Sequence, residues 1–115
     1  MKVAYIAHPV GNDKRNIDRI LDIVRKINLE EPQAVPFAPY IADLMCMSNF
    51  GEERNRGIRN DHCLIRKGFI DEVRLYGDHI SMGMLEELML ALDLGIPVIP
   101  MTEETGRELK DYKIK

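Results

Sequence analysis

The chain has 115 residues, 45% of them hydrophobic and 30% charged, with a formal net charge of -3 at pH 7. That length supports one domain around one core and is too short for two independently folding units. With no Lys/Arg excess to displace counterions, the composition argues against binding of nucleic acid polymers, and any anionic ligand must be small and held locally.

The first element, KVAYIA at 2–7, is a β-branched and aromatic run ended by His8-Pro9-Val10-Gly11, which reads as a strand entering a turn. Neither a signal-peptide core nor an apolar run of membrane-spanning length is present, so a cytoplasmic protein with no membrane partner is expected. Asn12 or Asp13 can cap a following helix in which Ile17, Ile20, Leu21, Val24 and Ile27 recur at helical spacing. The next apolar run, QAVPFAPYI, contains Pro36 and Pro39, which cannot donate to a ladder and therefore place this strand at a sheet edge. Residues 40–52, YIADLMCMSNFGE, are apolar without a clear period and fit a lid, an irregular helix or a subunit contact. A charged amphipathic helix follows from Glu53 to Lys67, with Ile58, Ile65 and either His62 or Cys63 turned inward. DEVRLYG at 71–77 is the third strand, Ser81 caps a helix that Gly95 stops, IPVIP is the fourth strand, and a short helix spans Thr102 to Lys110.

Strands alternating with helices imply a flavodoxin- or Rossmann-like three-layer α/β sandwich, its four- to five-stranded parallel sheet in the order 2-1-3-4. Ligands of such sheets bind beyond the carboxyl ends of the strands where the winding direction switches, which points to the loops at 8–13 and 77–83. Cys46 and Cys63 lack CxxC spacing and are expected as free thiols, and His8, His62 and His79 are scattered, so neither a metal nor a cofactor is expected.

One residue breaks the pattern of the fourth helix. The neighbours of Glu87 on a helix are Gly83, Met84, Leu90, Ala91 and Leu94, all apolar or without a side chain, whereas Glu86 shares its side with Met89 and Asp93 and can face water. A carboxylate on the packing side, close to the end of the preceding strand, borders the expected cleft. Gly83 leaves the first helical turn open to a ligand, and the turns at Gly11-Asn12 and at Ser81 to Gly83 both offer backbone amides to an anion such as a phosphate. His8 stands at the switch point as a candidate contact; Asp78 ends the third strand near the cleft, and Asp71 begins it in a structural position.

YIAHPVG, ERNRGIRND and DEVRLYGDHISMGMLEELMLALDLGIPVIP together resemble the nucleoside 2-deoxyribosyltransferase superfamily, which includes deoxyribonucleotide N-hydrolases. The similarity is most specific in the arrangement of Asp71, Gly77, Asp78, Ser81, Gly83, Met84 and Glu87, and weakest in 40–52. Separately from the resemblance, the apolar, aperiodic 40–52 segment and the small size of the domain suggest a homodimer or larger homo-oligomer. The resemblance implies cleavage or transfer of the N-glycosidic bond of a deoxyribonucleoside or its 5′-monophosphate. In its terms Glu87 is the nucleophile and Tyr5 holds it. The acid that serves the leaving base is Asp61, with His62 or Cys63 as alternative occupants because the spacing to Asp71 is longer than in the hydrolases. His8, Pro9, Gly11, Asp78, Ser81, Gly83 and Met84 would contact substrate. These residue types suit the chemistry, since a poorly solvated carboxylate can trap the oxocarbenium-like C1′ while a second carboxyl protonates the departing base. A non-catalytic module that binds or sequesters a nucleotide-derived ligand in the same cleft is the alternative.

Overall fold

The computed structural model describes residues 1–113 as a four-stranded, all-parallel sheet in the order β2-β1-β3-β4 with helices on both faces. The strands are β1 (Lys2–Ala7), β2 (Ala34–Phe37), β3 (Glu72–Leu75) and β4 (Val98–Pro100). The helices are α1 (Arg15–Glu30), α2 (Tyr40–Cys46), α3 (Gly51–Arg66), α4 (Met82–Asp93) and α5 (Glu103–Lys113). This is the expected Rossmann-like sandwich and strand order, and no fifth strand is present among the described residues.

Alternation along β1 divides the core. Tyr5 and Ala7 point to the face covered by α3 and α4, where they pack with Ile65, Val73, Leu75, Met84, Leu88 and Ala91. Ala4 and Ile6 point to the opposite face and pack with Ile27 of α1 and Ala34. In register, Tyr5 pairs with Phe37 on one side and Val73 on the other, so β1 lies between the proline-bearing edge strand and β3. The chain leaves β1 towards β2 through α1 and returns to β3 through α2 and α3, and the switch in winding falls between β1 and β3.

Several details differ from the sequence expectations. α1 begins at Arg15 behind Lys14, with no side-chain cap on that position; Asp13 instead accepts the Arg15 amide at 3.0 Å and Asn12 takes no part. Its packed stripe runs through Ile20, Ile23, Val24 and Ile27, while Leu21 is exposed, because the helix is rotated slightly from the orientation that its leucine suggested. Residues 40–52 resolve into the short helix α2, entered through Pro39, then a turn, then the first residues of α3, which starts at Gly51 rather than Glu53. On α3 it is His62 that is partly buried; Cys63 is exposed, and both cysteines are unpaired. Asp71 is structural as expected: its carboxylate accepts the Val3 amide at 2.7 Å, and its own amide donates to the Val3 carbonyl at 2.9 Å, which pins the starts of β1 and β3 together.

The final helix does more than close the chain. The Thr102 hydroxyl donates to the Gly77 carbonyl at 2.8 Å, the fully buried Thr105 hydroxyl donates to the Leu75 carbonyl at 3.2 Å, and the Glu108 carboxylate accepts the Ile80 amide at 3.2 Å. These bonds tie α5 and the turn before it to the end of β3 and hold in place the loop that leads into α4.

Candidate functional site

A cleft of about 210 Å3 opens beyond the carboxyl ends of β1 and β3, at the winding switch. The β1–α1 loop, α2, the 47–50 turn, α3 and the start of α4 form its walls.

Glu87 lies on this cleft one turn into α4, beside the fully packed Met84, Leu88 and Ala91. Behind it stands Tyr5, wholly buried in the middle of the sheet, whose hydroxyl donates to the Glu87 carboxylate. Burial pushes the Glu87 carboxyl up to about 8; the Tyr5 hydrogen bond works against that rise, and the charges of Asp61 and Glu86 add to it. The Tyr5 hydroxyl itself is held well above its ordinary value, first by burial and then by the Glu87 carboxylate, so it stays a donor. Glu86 is exposed, as its position on the wheel implied.

Asp61 lines the same cleft from α3. Its Oδ1 is buried without a hydrogen-bond partner, and burial, followed by the charge of Asp43, raises its carboxyl to about 7. An unsatisfied buried acceptor is costly in a finished core and is the kind of group a ligand completes. Of the three candidates for this position, Asp61 and His62 border the cleft, whereas Cys63 does not.

The loops contribute the rest. His8 is buried on the cleft wall with Nδ1 bound to the Pro9 carbonyl at 2.7 Å, and burial lowers its pKa, which favours a neutral ring with Nε2 as its acceptor. Gly11 turns with φ of 53° and its carbonyl accepts the Asn49 side chain at 2.6 Å, tying the β1–α1 loop to the turn between α2 and α3. The Ser81 hydroxyl accepts the Met84 amide at 3.2 Å, the expected cap, and Gly83 stands open, with nothing within 4 Å of where a Cβ would be. Ser81, Gly83 and Met84 all line the cleft.

Two candidate contacts fall elsewhere. Pro9 is set back from the cleft and packs on Gly77: a Cβ there, at a φ of 91°, would come within 2.5 Å of the proline ring, so glycine is needed for the two loops to meet. Asp78 points into solvent, bound to His79 at 2.7 Å, and does not line the cleft. Residues of α2 and the following turn, where the sequence suggests a lid, an irregular helix or a subunit contact and Met47 as core or interface, also reach the site. Tyr40 is buried with its hydroxyl donating to the Ile6 carbonyl, and Asp43, Met47, Ser48 and Asn49 face the cleft. A buried tyrosine and a carboxylate in so short a helix give no periodic signal; the one clue available was Asp43 set among apolar neighbours.

Among the described residues no group of His, Cys, Asp and Glu is arranged to hold a metal ion, and no helix is long and apolar enough to cross a membrane. Fold and cleft together define a parallel α/β domain whose switch-point pocket is lined by carboxyls held at unusually high pKa. The chain belongs to the family described as a domain of unknown function (DUF7768), whose model matches residues 2–101. That match contains every element that borders the cleft and ends just before α5. No curated protein matches the chain.

Proposed function

We propose that the protein cleaves or transfers the N-glycosidic bond of a deoxyribonucleoside or its 5′-monophosphate, with Glu87 as the nucleophile. The observation that carries this reading is the pairing of roles across one small cleft: a carboxyl held from behind by a buried tyrosine, and a second, unpartnered carboxyl on another wall. The Glu87 carboxylate attacks C1′ as the bond to the base breaks, and Asp61, carrying its proton, delivers it to the leaving nitrogen. Water or a second base then releases the sugar from the Glu87 ester. The hydrogen bond from Tyr5 favours the ionised form of Glu87 and fixes its rotamer, which limits the reorganisation needed before attack. The open amides at Ser81 to Gly83 suit a 5′-phosphate, and the cleft volume of about 210 Å3 suits a small molecule rather than a polymer.

Incubation with a panel of deoxyribonucleosides and their monophosphates, with free base followed by chromatography, tests the reading. Base release by the wild type, lost by at least about a thousandfold in Glu87→Gln, supports it; that loss corresponds to ~4 kcal/mol of transition-state stabilisation. Release that survives in Glu87→Gln, or no release from any substrate, rejects it. The reaction needs Glu87 ionised and Asp61 protonated, so kcat/KM should follow a bell. Because burial holds Glu87 at about 8 and Asp61 at about 7, this form is a minority species, and the bell breaks at the lower value on its acid side and at the higher on its alkaline side; Glu87 sets the level of the acid limb and Asp61 that of the alkaline limb. We also read the protein as a homo-oligomer, because Met82 on the cleft and Met45 and Phe50 in the 40–52 segment are largely exposed; sedimentation at micromolar concentration showing only monomer overturns that part.

A further inference from the structure

Asp43 stands on α2 and reaches across to α3, where its Oδ2 accepts the Asn60 side-chain amide at 3.2 Å. The same oxygen lies 3.8 Å from where a Cβ on Gly57 would be, and Gly57 precedes Asp61 by one helical turn on one face of α3. Asp43 therefore overlies the face that carries Asp61, and both line the cleft. Among the described residues no Lys, Arg or His forms an ion pair with either carboxyl. The other groups around Asp61 are Glu87 from α4, Tyr5 from β1 and Tyr40 from α2; Glu53, Arg54 and His62 of α3, Glu86 of α4 and His8 after β1 line the cleft as well.

Two carboxyls brought together without a cation resist joint ionisation, and the pair retains a proton. Asp43 is the more open of the two to donors, being bound by Asn60, whereas Asp61 has a buried oxygen with no partner. The proton of the pair thus resides on Asp61, whose carboxyl burial and then the neighbouring Asp43 hold above its ordinary value.

We propose that Asp43 is a positioning residue for proton delivery: it keeps Asp61 loaded with a proton until the departing base arrives. This rests on the N-glycoside reading of the cleft. In the first step the C1′–N bond breaks with its electron pair passing to the base nitrogen, the Asp61 proton moves to the base, and a Glu87 oxygen bonds to C1′. In the second step water attacks C1′, Glu87 leaves as carboxylate, and the water proton returns to Asp61, where Asp43 again favours its retention. Burial alone also raises Asp61, so the contribution of Asp43 is a fraction of the whole effect.

The test uses Asp43→Asn, whose amide oxygen can still accept from Asn60. Kinetics are run on two leaving groups: an ordinary purine, which needs a proton to depart, and its N7-methylated counterpart, a cationic base that departs neutral. The alkaline limb for the ordinary base should move down by about half to one pH unit, with roughly three- to tenfold lower kcat/KM at pH 8. The methylated substrate should be cleaved at the wild-type rate, and Asp43→Glu should restore the limb. An unmoved limb, or equal losses on both substrates, overturns the proposal, the latter by showing a purely structural role. Direct NMR titration of the Asp61 carboxyl in wild type and Asp43→Asn needs no turnover. A fall in its pKa in the variant supports the proposal even if no N-glycoside is cleaved, and an unchanged value overturns it while leaving the N-glycoside reading intact. If Asp43→Asn fails to fold, the same titration in Asp43→Glu is expected to match wild type, and a clear fall overturns the proposal.

Discussion

The two faces of the sheet each carry a glutamate, and they are treated in opposite ways. Glu72, on the α1 face, is buried next to Arg74, with Arg74 Nε donating to it at 2.6 Å and Lys2 Nζ at 3.0 Å; Arg74 in turn grips Glu31 through two bonds of 3.0 Å. Burial works to raise the Glu72 carboxyl, but the hydrogen bonds from Arg74 and Lys2 outweigh it and the net shift is downward. Glu87, on the other face, has a neutral tyrosine behind it and no cation, and burial carries it up to about 8. A domain of this size can use a buried carboxylate as a clamp between strand and helix or keep one at high energy beside a cleft. What separates the two is whether the chain supplies the counter-charge.

The largest effect should come from exchanging charge for amide at each glutamate in turn. Glu72→Gln leaves Arg74 with Glu31 as its remaining carboxylate and should cost about 2–3 kcal/mol, a fall of roughly 10 °C or more in the thermal midpoint. Specific activity of the folded fraction should be unchanged, since nothing on that face reaches the cleft. A midpoint within ~2 °C of wild type would show that the Arg74 cluster contributes little.

Glu87→Gln should do the reverse: abolish turnover and stabilise the fold at neutral and alkaline pH, by on the order of 1–2 kcal/mol. The sign follows from linkage. A carboxyl whose folded pKa is raised above its unfolded value of 4.5 holds its proton more tightly in the native state. Its contribution is fully present below 4.5 and is lost as pH rises towards about 8. Glu72, shifted downward, contributes above its unfolded value of 4.5 and is lost as pH falls through its lower folded pKa. Thermal melts from pH 4 to pH 9 should therefore show a shallower alkaline decline in Glu87→Gln and a shallower acid decline in Glu72→Gln. Parallel curves for all three proteins would erase the distinction between the faces.

How much of this was legible in the sequence follows the same division between local and tertiary causes. Pro36 set the edge strand, alternating elements set the sheet order, and Ser81 with Gly95 bounded α4, because each acts through neighbours in the chain. Glu87 stood out for a related reason: on a long apolar helix the period itself marks an intruding charge. α2 is too short to show a period, so Tyr40 and Asp43 acquire their meaning only when α3 folds over them. Thr102 and Thr105 were likewise silent, since their partners are carbonyls far away in sequence. Pro9 and Asp78 illustrate the opposite failure: both lie beside the cleft in sequence, yet one packs against a glycine and the other points to solvent. Proximity along a loop does not decide side-chain direction.

The smallest change sharpens the contrast most. Tyr5→Phe removes one oxygen from the centre of the sheet and keeps the ring that packs against Phe37 and Tyr40 at centroid distances of 6.3 and 6.1 Å. The fold should survive, because the phenylalanine fills nearly the same volume and the lost donor leaves Glu87, which opens to the cleft and can recruit water. Loss of that hydrogen bond removes the one influence that favours the ionised carboxylate, so the Glu87 pKa should rise further and the acid limb of the pH profile should move up with it. On the proposed chemistry kcat should fall about tenfold, or ~1.4 kcal/mol, at neutral pH, and KM should change far less, since the hydroxyl lies behind the carboxylate rather than in the cleft. A Tyr5→Phe enzyme with an unmoved acid limb and normal kcat would mean that Tyr5 only fills space, and that burial by itself sets the state of Glu87.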